Sequence, residues 1–140
     1  MRLLGYPLCA AMLTAAGTAS GADLRVEISN AETADGAVYF ALYDSEPRFK
    51  EHDGIRLAVA KQWTSRPSVA FTDLPPGRYA VAVFQDINGN GELDTNLLGI
   101  PTEPFGFSRD ATGNMGPPSF DDAAISLGEQ SETLVIELRK

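Results

Sequence analysis

Apolar and polar residues alternate in short runs along this chain, and turn residues separate the runs. Leu24-Arg25-Val26-Glu27-Ile28 repeats with period two, which predicts a strand buried on one face. Ala37–Tyr43 predicts a second strand after a turn at Asp35-Gly36. Ile55–Trp63 and Ser68–Phe71 predict a third and a fourth, divided by Ser65-Arg66-Pro67. Arg78–Phe84 is apolar on both faces and belongs near the centre of a sheet. Ala124–Leu127 and Thr133–Leu138 complete the set, with a turn from Gly128 to Ser131 between them. Strands at this spacing predict an all-β fold, a seven-stranded antiparallel sandwich. Ser45–His52 predicts one short helical turn, since Pro47 is compatible with a first turn.

Between Gln85 and Asp122 the strand pattern stops, and Gly and Pro recur throughout, from Gly89 and Gly91 to Pro117 and Pro118. Loops longer than about 15 residues in compact domains are functional or disordered. Disorder goes with few large apolar residues, yet Leu93, Leu97, Leu98, Ile100, Phe105, Phe107, Met115 and Phe120 run through this one. The segment 86–122 therefore predicts an ordered loop with a small core of its own, capping one end of the sandwich.

Met1-Arg2, an apolar run from Leu3 to about Ala16 and the exit Ser20-Gly21-Ala22 predict a secretory signal peptide over 1–22. The run is too short and too broken, by Gly5 and Pro7, for a good membrane span. Cys9 is the chain's one cysteine, and Tyr6-Pro7-Leu8 makes a poor lipidation context. The remaining 23–140 is long enough for a single β-sandwich domain, without cysteine and so without disulfides. Cleavage removes Arg2 and leaves ten basic against nineteen acidic residues, so the net charge moves from −8 to −9. Such a surface repels nucleic acid and anionic lipid and favours cations. A periplasmic or secreted location follows from the leader, with no integral membrane segment after cleavage.

Oxygen-bearing side chains in the run Asp86-Ile87-Asn88-Gly89-Asn90-Gly91-Glu92-Leu93-Asp94 fall at loop positions one, three, five and nine, with Gly at six. Ca²⁺ takes six to eight oxygens at about 2.3–2.6 Å, and this order resembles the start of an EF-hand loop. Position twelve is Leu97 rather than a bidentate Glu. The predicted metal set is Asp86, Asn88, Asn90, the Glu92 backbone carbonyl, Asp94 and, returning from farther along, Glu103; Asp121 and Asp122 are alternatives to Glu103. With so few carboxylates the affinity belongs in the weak range of extracellular modules, a Kd of roughly 10⁻⁴–10⁻³ M. Asn-Gly and Asp side chains also form turns by bonding their own backbone without metal, and both readings stand at this point.

The run Phe71-Thr72-Asp73-Leu74-Pro75-Pro76-Gly77-Arg78-Tyr79-Ala80-Val81 resembles the turn and central strand of transthyretin-like and carboxypeptidase-regulatory-like sandwiches. More specifically, the chain resembles the domain-of-unknown-function 2141 family of exported bacterial proteins. The resemblance rests on Leu74–Val83, Asp86–Asn96, Gly99-Ile100-Pro101-Thr102-Glu103, Gly106-Phe107-Ser108 and Gly116–Ala123. It implies a transthyretin-like or immunoglobulin-like sandwich and brings no established activity. Two positions depart from the family pattern: Gln85 stands where a His is common, and Arg109 where an Asn follows Gly-Phe-Ser.

The functional expectation is an exported binding or structural module with a structural Ca²⁺ site, whose partner is a protein, peptide or glycan. The alternative is a metal-free domain binding a peptide, glycan or small apolar molecule on a patch of Phe105, Phe107 and Phe120. No catalysis is expected. Cysteine nucleophiles are lacking, no Ser sits in a Gly-x-Ser-x-Gly turn, and His52 alone cannot make a zinc site.

Overall fold

The computed structural model describes residues 21–31, 36–61, 64–114 and 116–139. The leader up to residue 20, Trp63 and Met115 lie outside the described residues. Among the described residues, eight strands form two sheets. They are β1 (Ala22–Ile28), β2 (Ala37–Tyr43), β3 (Arg56–Ala60), β4 (Ser68–Leu74), β5 (Gly77–Asp86), β6 (Phe105–Phe107), β7 (Ile125–Leu127) and β8 (Glu132–Ile136). Two short helices, α1 (Glu46–Lys50) and α2 (Phe120–Ala123), and a 3₁₀ turn at Ser108–Asp110 complete the fold. One sheet runs β4-β1-β8 and the other β3-β2-β5-β6, with β7 also on β5.

The seven expected strands are present, and the count is corrected by β6, which lies inside the segment read as strandless. The antiparallel expectation is corrected at one pair, because β1 and β8 run parallel. Only neighbours joined by a tight turn must be antiparallel; β1 and β8 come from opposite ends of the described chain. The Gly128–Ser131 turn crosses between sheets, since β7 pairs with β5 and β8 with β1. The helical turn expected at Ser45–His52 is α1.

Alternation places Leu24, Val26 and Ile28 of β1 against Val38, Phe40 and Leu42 of β2 and Tyr79, Val81 and Val83 of β5, all buried. The opposite face of β5 is also covered, as its apolar pattern predicts. Ala80 and Tyr43 form a second cluster with Phe49 of α1 and with Phe120, Ala123 and Ala124. The Phe49 ring meets Tyr43 at 5.2 Å and Phe107 at 5.9 Å, edge to face, a geometry that aromatic quadrupoles favour.

The Tyr79 hydroxyl donates to the Pro75 carbonyl at 2.5 Å, tying the Pro-Gly turn to the strand it delivers. Burial raises its pKa above the ordinary 10.0; Asp44 adds to the rise and Arg56 opposes it. Burial, then Asp53, raises that of Tyr43 as well. A raised folded-state pKa gives stability that is full below the unfolded value and is lost as pH rises through the folded one. Both tyrosines therefore weaken the fold only in alkali.

On its free side, β5 pairs with β6 through Ala82–Phe84 and with β7 through Gly77–Tyr79. Ser108 fills the gap between these pairings. Its buried hydroxyl accepts from the Val81 N–H at 2.9 Å and donates to the Ala123 carbonyl. Ser108→Ala leaves both backbone groups short of a partner in the interior. We expect it to destabilise the protein by about 1–3 kcal/mol, read as a lower urea midpoint with an unchanged slope.

Candidate metal centre

The acidic loop begins where the central strand ends. Asp86, the last residue of β5, is 1 % exposed. Its Oδ1 accepts from the Asn90 N–H at 3.2 Å and its Oδ2 from the Gly91 N–H at 2.7 Å. That closure needs a sharp reversal, and Gly89 and Gly91 adopt φ of 74° and 77° to make it. An added Cβ would meet nothing within 4 Å at either glycine. The requirement is therefore for the left-handed backbone and not for space.

Farther round the loop, three side chains converge. The Asn90 amide donates to Asp94 Oδ1 at 2.6 Å, and the Asn88 amide donates to Asp94 Oδ2. The amide oxygens accept locally, Asn88 Oδ1 from the Asn90 N–H and Asn90 Oδ1 from the Glu92 N–H at 3.0 Å. Glu92 itself is exposed. These backbone bonds are those of Asx-turns. They hold the Asn88, Asn90 and Asp94 side chains together, while the Asp86 carboxylate engages the loop backbone at Asn90 and Gly91.

Glu103 closes the base of the loop. It is 5 % exposed. Its Oε2 accepts from the Ile87 N–H at 2.6 Å and its Oε1 from the Asp94 N–H at 2.9 Å. One carboxylate thus clamps both ends of the ladder to the returning chain, and the Pro104 carbonyl adds a bond from the Gln85 N–H at 2.9 Å. The alternatives to Glu103 lie elsewhere, on α2, where Asp121 pairs with Arg78 at 2.9 Å.

As a donor set for a hard cation, the loop brings two carboxylates, Asp86 and Asp94, and two amide side chains. Among the described residues no three Asp, Glu, His or Cys side chains form a metal-holding group. Each Asn can present its oxygen in place of an amide N–H by rotating half a turn about its last side-chain bond, which gives up its bond to the Asn90 or Glu92 N–H. Each Glu103 oxygen keeps a second lone pair beyond the one its N–H bond uses.

The apolar residues of the loop divide differently from the expected small core. Phe120 is buried, and Phe107 packs against the α1–α2 cluster. Leu97, Leu98 and Ile100 are 105 %, 84 % and 55 % exposed. They sit on a tight turn that gives them nothing to pack against. The aromatic patch is divided too: Phe105 and Phe107 line a cleft of about 110 Å³ with Asp110, Glu137 and Arg139, while Phe120 is not part of its lining. Ligand pockets usually hold 300–1,000 Å³.

Sequence reasoning passed over the backbone at 109–110. Arg109 and Asp110 adopt φ of 61° and 49°, both left-handed, and the Asp110 carboxylate accepts from the Glu137 N–H at 2.9 Å. Asn tolerates this region better than other residues with a Cβ. The Asn expected after Gly-Phe-Ser thus has a conformational reason to be there. Arg109→Asn should stabilise the protein, by about 0.5–1 kcal/mol, measured as a higher urea midpoint. Gln85, at the other departure, is buried on the inner face of β5 opposite Val38.

The sequence model of a bacterial family, described as "uncharacterized protein conserved in bacteria (DUF2141)", matches residues 26–135. The chain belongs to the DUF2141 family. The match takes in both sheets and the whole acidic loop. No curated protein and no solved structure matches the chain. For this DUF2141 member, the site's geometry is what bears on function. Among the described residues no helix is long and apolar enough to cross a membrane.

Proposed function

We propose that this DUF2141 protein is an exported β-sandwich module whose Asp86–Asp94 loop holds a structural Ca²⁺ ion. The carrying observation is the convergence of Asn88 and Asn90 on the two oxygens of Asp94, beside the buried and doubly hydrogen-bonded Asp86 carboxylate. In the bound state the two amides turn their oxygens inward and join Asp86 and Asp94, and the Glu92 carbonyl and Glu103 supplement them. The ion offsets the mutual repulsion of these carboxylates. It also holds a Gly-rich loop whose ordering would otherwise cost entropy. Ca²⁺ suits a ring of flexible, mixed oxygens, whereas Mg²⁺ demands near-ideal octahedral geometry and releases its waters reluctantly. The role is architectural: it fixes the loop as a surface for a protein, peptide or glycan partner, and it assigns no reaction.

At Ca²⁺ about tenfold above Kd, mass action predicts a stabilisation of about 1.4 kcal/mol. In a domain of this size that corresponds to a rise in Tm of roughly 4–8 °C. Thermal unfolding followed by circular dichroism checks it. Chelator should remove the gain, and Mg²⁺ at the same concentration should give less than half of it. An unchanged Tm would count against the cation and in favour of the bare Asx turn.

A further inference from the structure

The turn after the acidic loop is built as a rigid apolar projection. Asn96 Oδ1 accepts from the N–H groups of Leu98 at 2.9 Å and Ile100 at 3.1 Å. The Asn96 N–H donates to the Ile100 carbonyl, the Gly99 N–H to the Asn96 carbonyl and the Thr102 N–H to the Asp94 carbonyl. A bridge between Thr95 and Pro101 closes the base. These bonds fix the backbone while leaving Leu97, Leu98 and Ile100 in solvent.

We propose that the 97–100 turn is a membrane-docking tip and that its occupant is a zwitterionic phospholipid surface. Shape supports this, because a side chain as exposed as Leu97 projects outward and a fluid bilayer can close round it without a preformed pocket. Composition supports it as well. Protein interfaces favour aromatic residues, Met and Arg, and Leu is under-represented among their hot spots; the tip has two Leu, one Ile and none of those anchors. From Thr95 to Thr102 the chain carries no charge, so insertion desolvates no ion.

Charge selects the headgroup. On the chain entering the tip Glu92 is exposed and Asp94 half-buried, while Glu103 on the returning chain is buried, so the acidic charge that faces solvent lies on one side of the tip. That charge, on a protein that is net acidic, repels anionic lipid and so leaves the net-neutral surface of phosphatidylethanolamine and phosphatidylcholine as the occupant. The three aliphatic side chains hold about twelve carbons, close to one myristoyl chain, so a comparable weak and reversible affinity follows, about 10³–10⁴ M⁻¹. Docking in this form does not depend on Ca²⁺.

The test uses the full chain with vesicles of phosphatidylethanolamine and phosphatidylcholine containing brominated acyl chains, in chelator. Leu98→Trp places a reporter at the tip. Leu57→Trp places one on the edge strand β3, where Leu57 is also exposed at 75 %. Trp63 is common to both variants and to the parent, so its signal subtracts. The ring at 98 should be quenched at least threefold more than the ring at 57, and adding Leu97→Ser and Ile100→Ser should remove most of that difference. Equal quenching at the two positions, or none at 98, overturns the proposal. Dimerisation that these serine substitutions abolish, without quenching at 98, overturns it in favour of a second copy of the chain.

Discussion

Glu103→Ala is expected to cost about 3 kcal/mol or more and to loosen the acidic loop at both ends. The carboxylate accepts two backbone N–H bonds, from Ile87 and Asp94, in a site that is nearly closed to water. Hydrogen bonds to charged groups each contribute about 1.5–3 kcal/mol, and alanine supplies no acceptor. Glu103→Gln keeps one amide oxygen, which can serve one N–H but not both, and should lose roughly half as much. Urea unfolding gives both values, and amide exchange at Ile87 and Asp94 locates the damage. A loss under about 0.5 kcal/mol for the alanine variant would contradict the clamp.

Gly36→Ala should be comparably severe for a different reason. Gly36 has φ of 83°, and a Cβ there would lie 1.9 Å from the Asp86 carbonyl oxygen. The left-handed conformation alone costs a residue with a Cβ about 1–2 kcal/mol. The overlap is with backbone, which cannot swing aside as a side chain would. The start of β2 and the end of β5, paired at Ala37 and Asp86, must therefore separate. We expect a total loss of about 3 kcal/mol or more, together with displacement of Asp86 and weaker cation binding. Glu103→Ala spares the pairing of Ala37 with Asp86 and Gly36→Ala does not, so the exchange rates of the β2 and β5 amides distinguish them.

The strands were legible where burial on one face imposes a period of two, as in β1, or where both faces are covered and the run is continuously apolar, as in β2 and β5. Phe105-Gly106-Phe107 was not, because three residues with a central glycine carry no pattern. Its strand exists because β5 offers a free edge and because the C-terminal segment approaches closely. A Cβ on Gly106 would meet the Glu137 carbonyl oxygen at 2.7 Å, and Phe105 and Arg139 exchange backbone bonds at 2.8 and 2.9 Å. Such an element is fixed by tertiary contacts, which local sequence does not encode. The parallel pairing of β1 with β8 was hidden for the same reason.

The acidic loop was readable because its logic is local. Asp86, Asn88, Asn90 and Asp94 lie within nine residues, and the Asn-Gly pairs announce the turns that bring them together. Glu103 was placed at the loop from its charge and position, but its engagement of two separated backbone N–H groups depends on the return path of the chain. The exposure of Leu97, Leu98 and Ile100 ran against their hydrophobicity, since composition gives the amount of apolar surface and not its direction. Asn96 carries the one local signal, an Asx turn that lifts those residues away from the core.

Calorimetric titration of Ca²⁺ into the chelator-treated protein decides whether the Asp86–Asp94 loop binds the ion. One site is expected, with a Kd of roughly 10⁻⁴–10⁻³ M, weakened at least tenfold by Asp94→Asn, which leaves the backbone bonds at Asp86 and Glu103 in place. Absence of binding heat at millimolar Ca²⁺, or identical titrations for the wild type and Asp94→Asn, would contradict it.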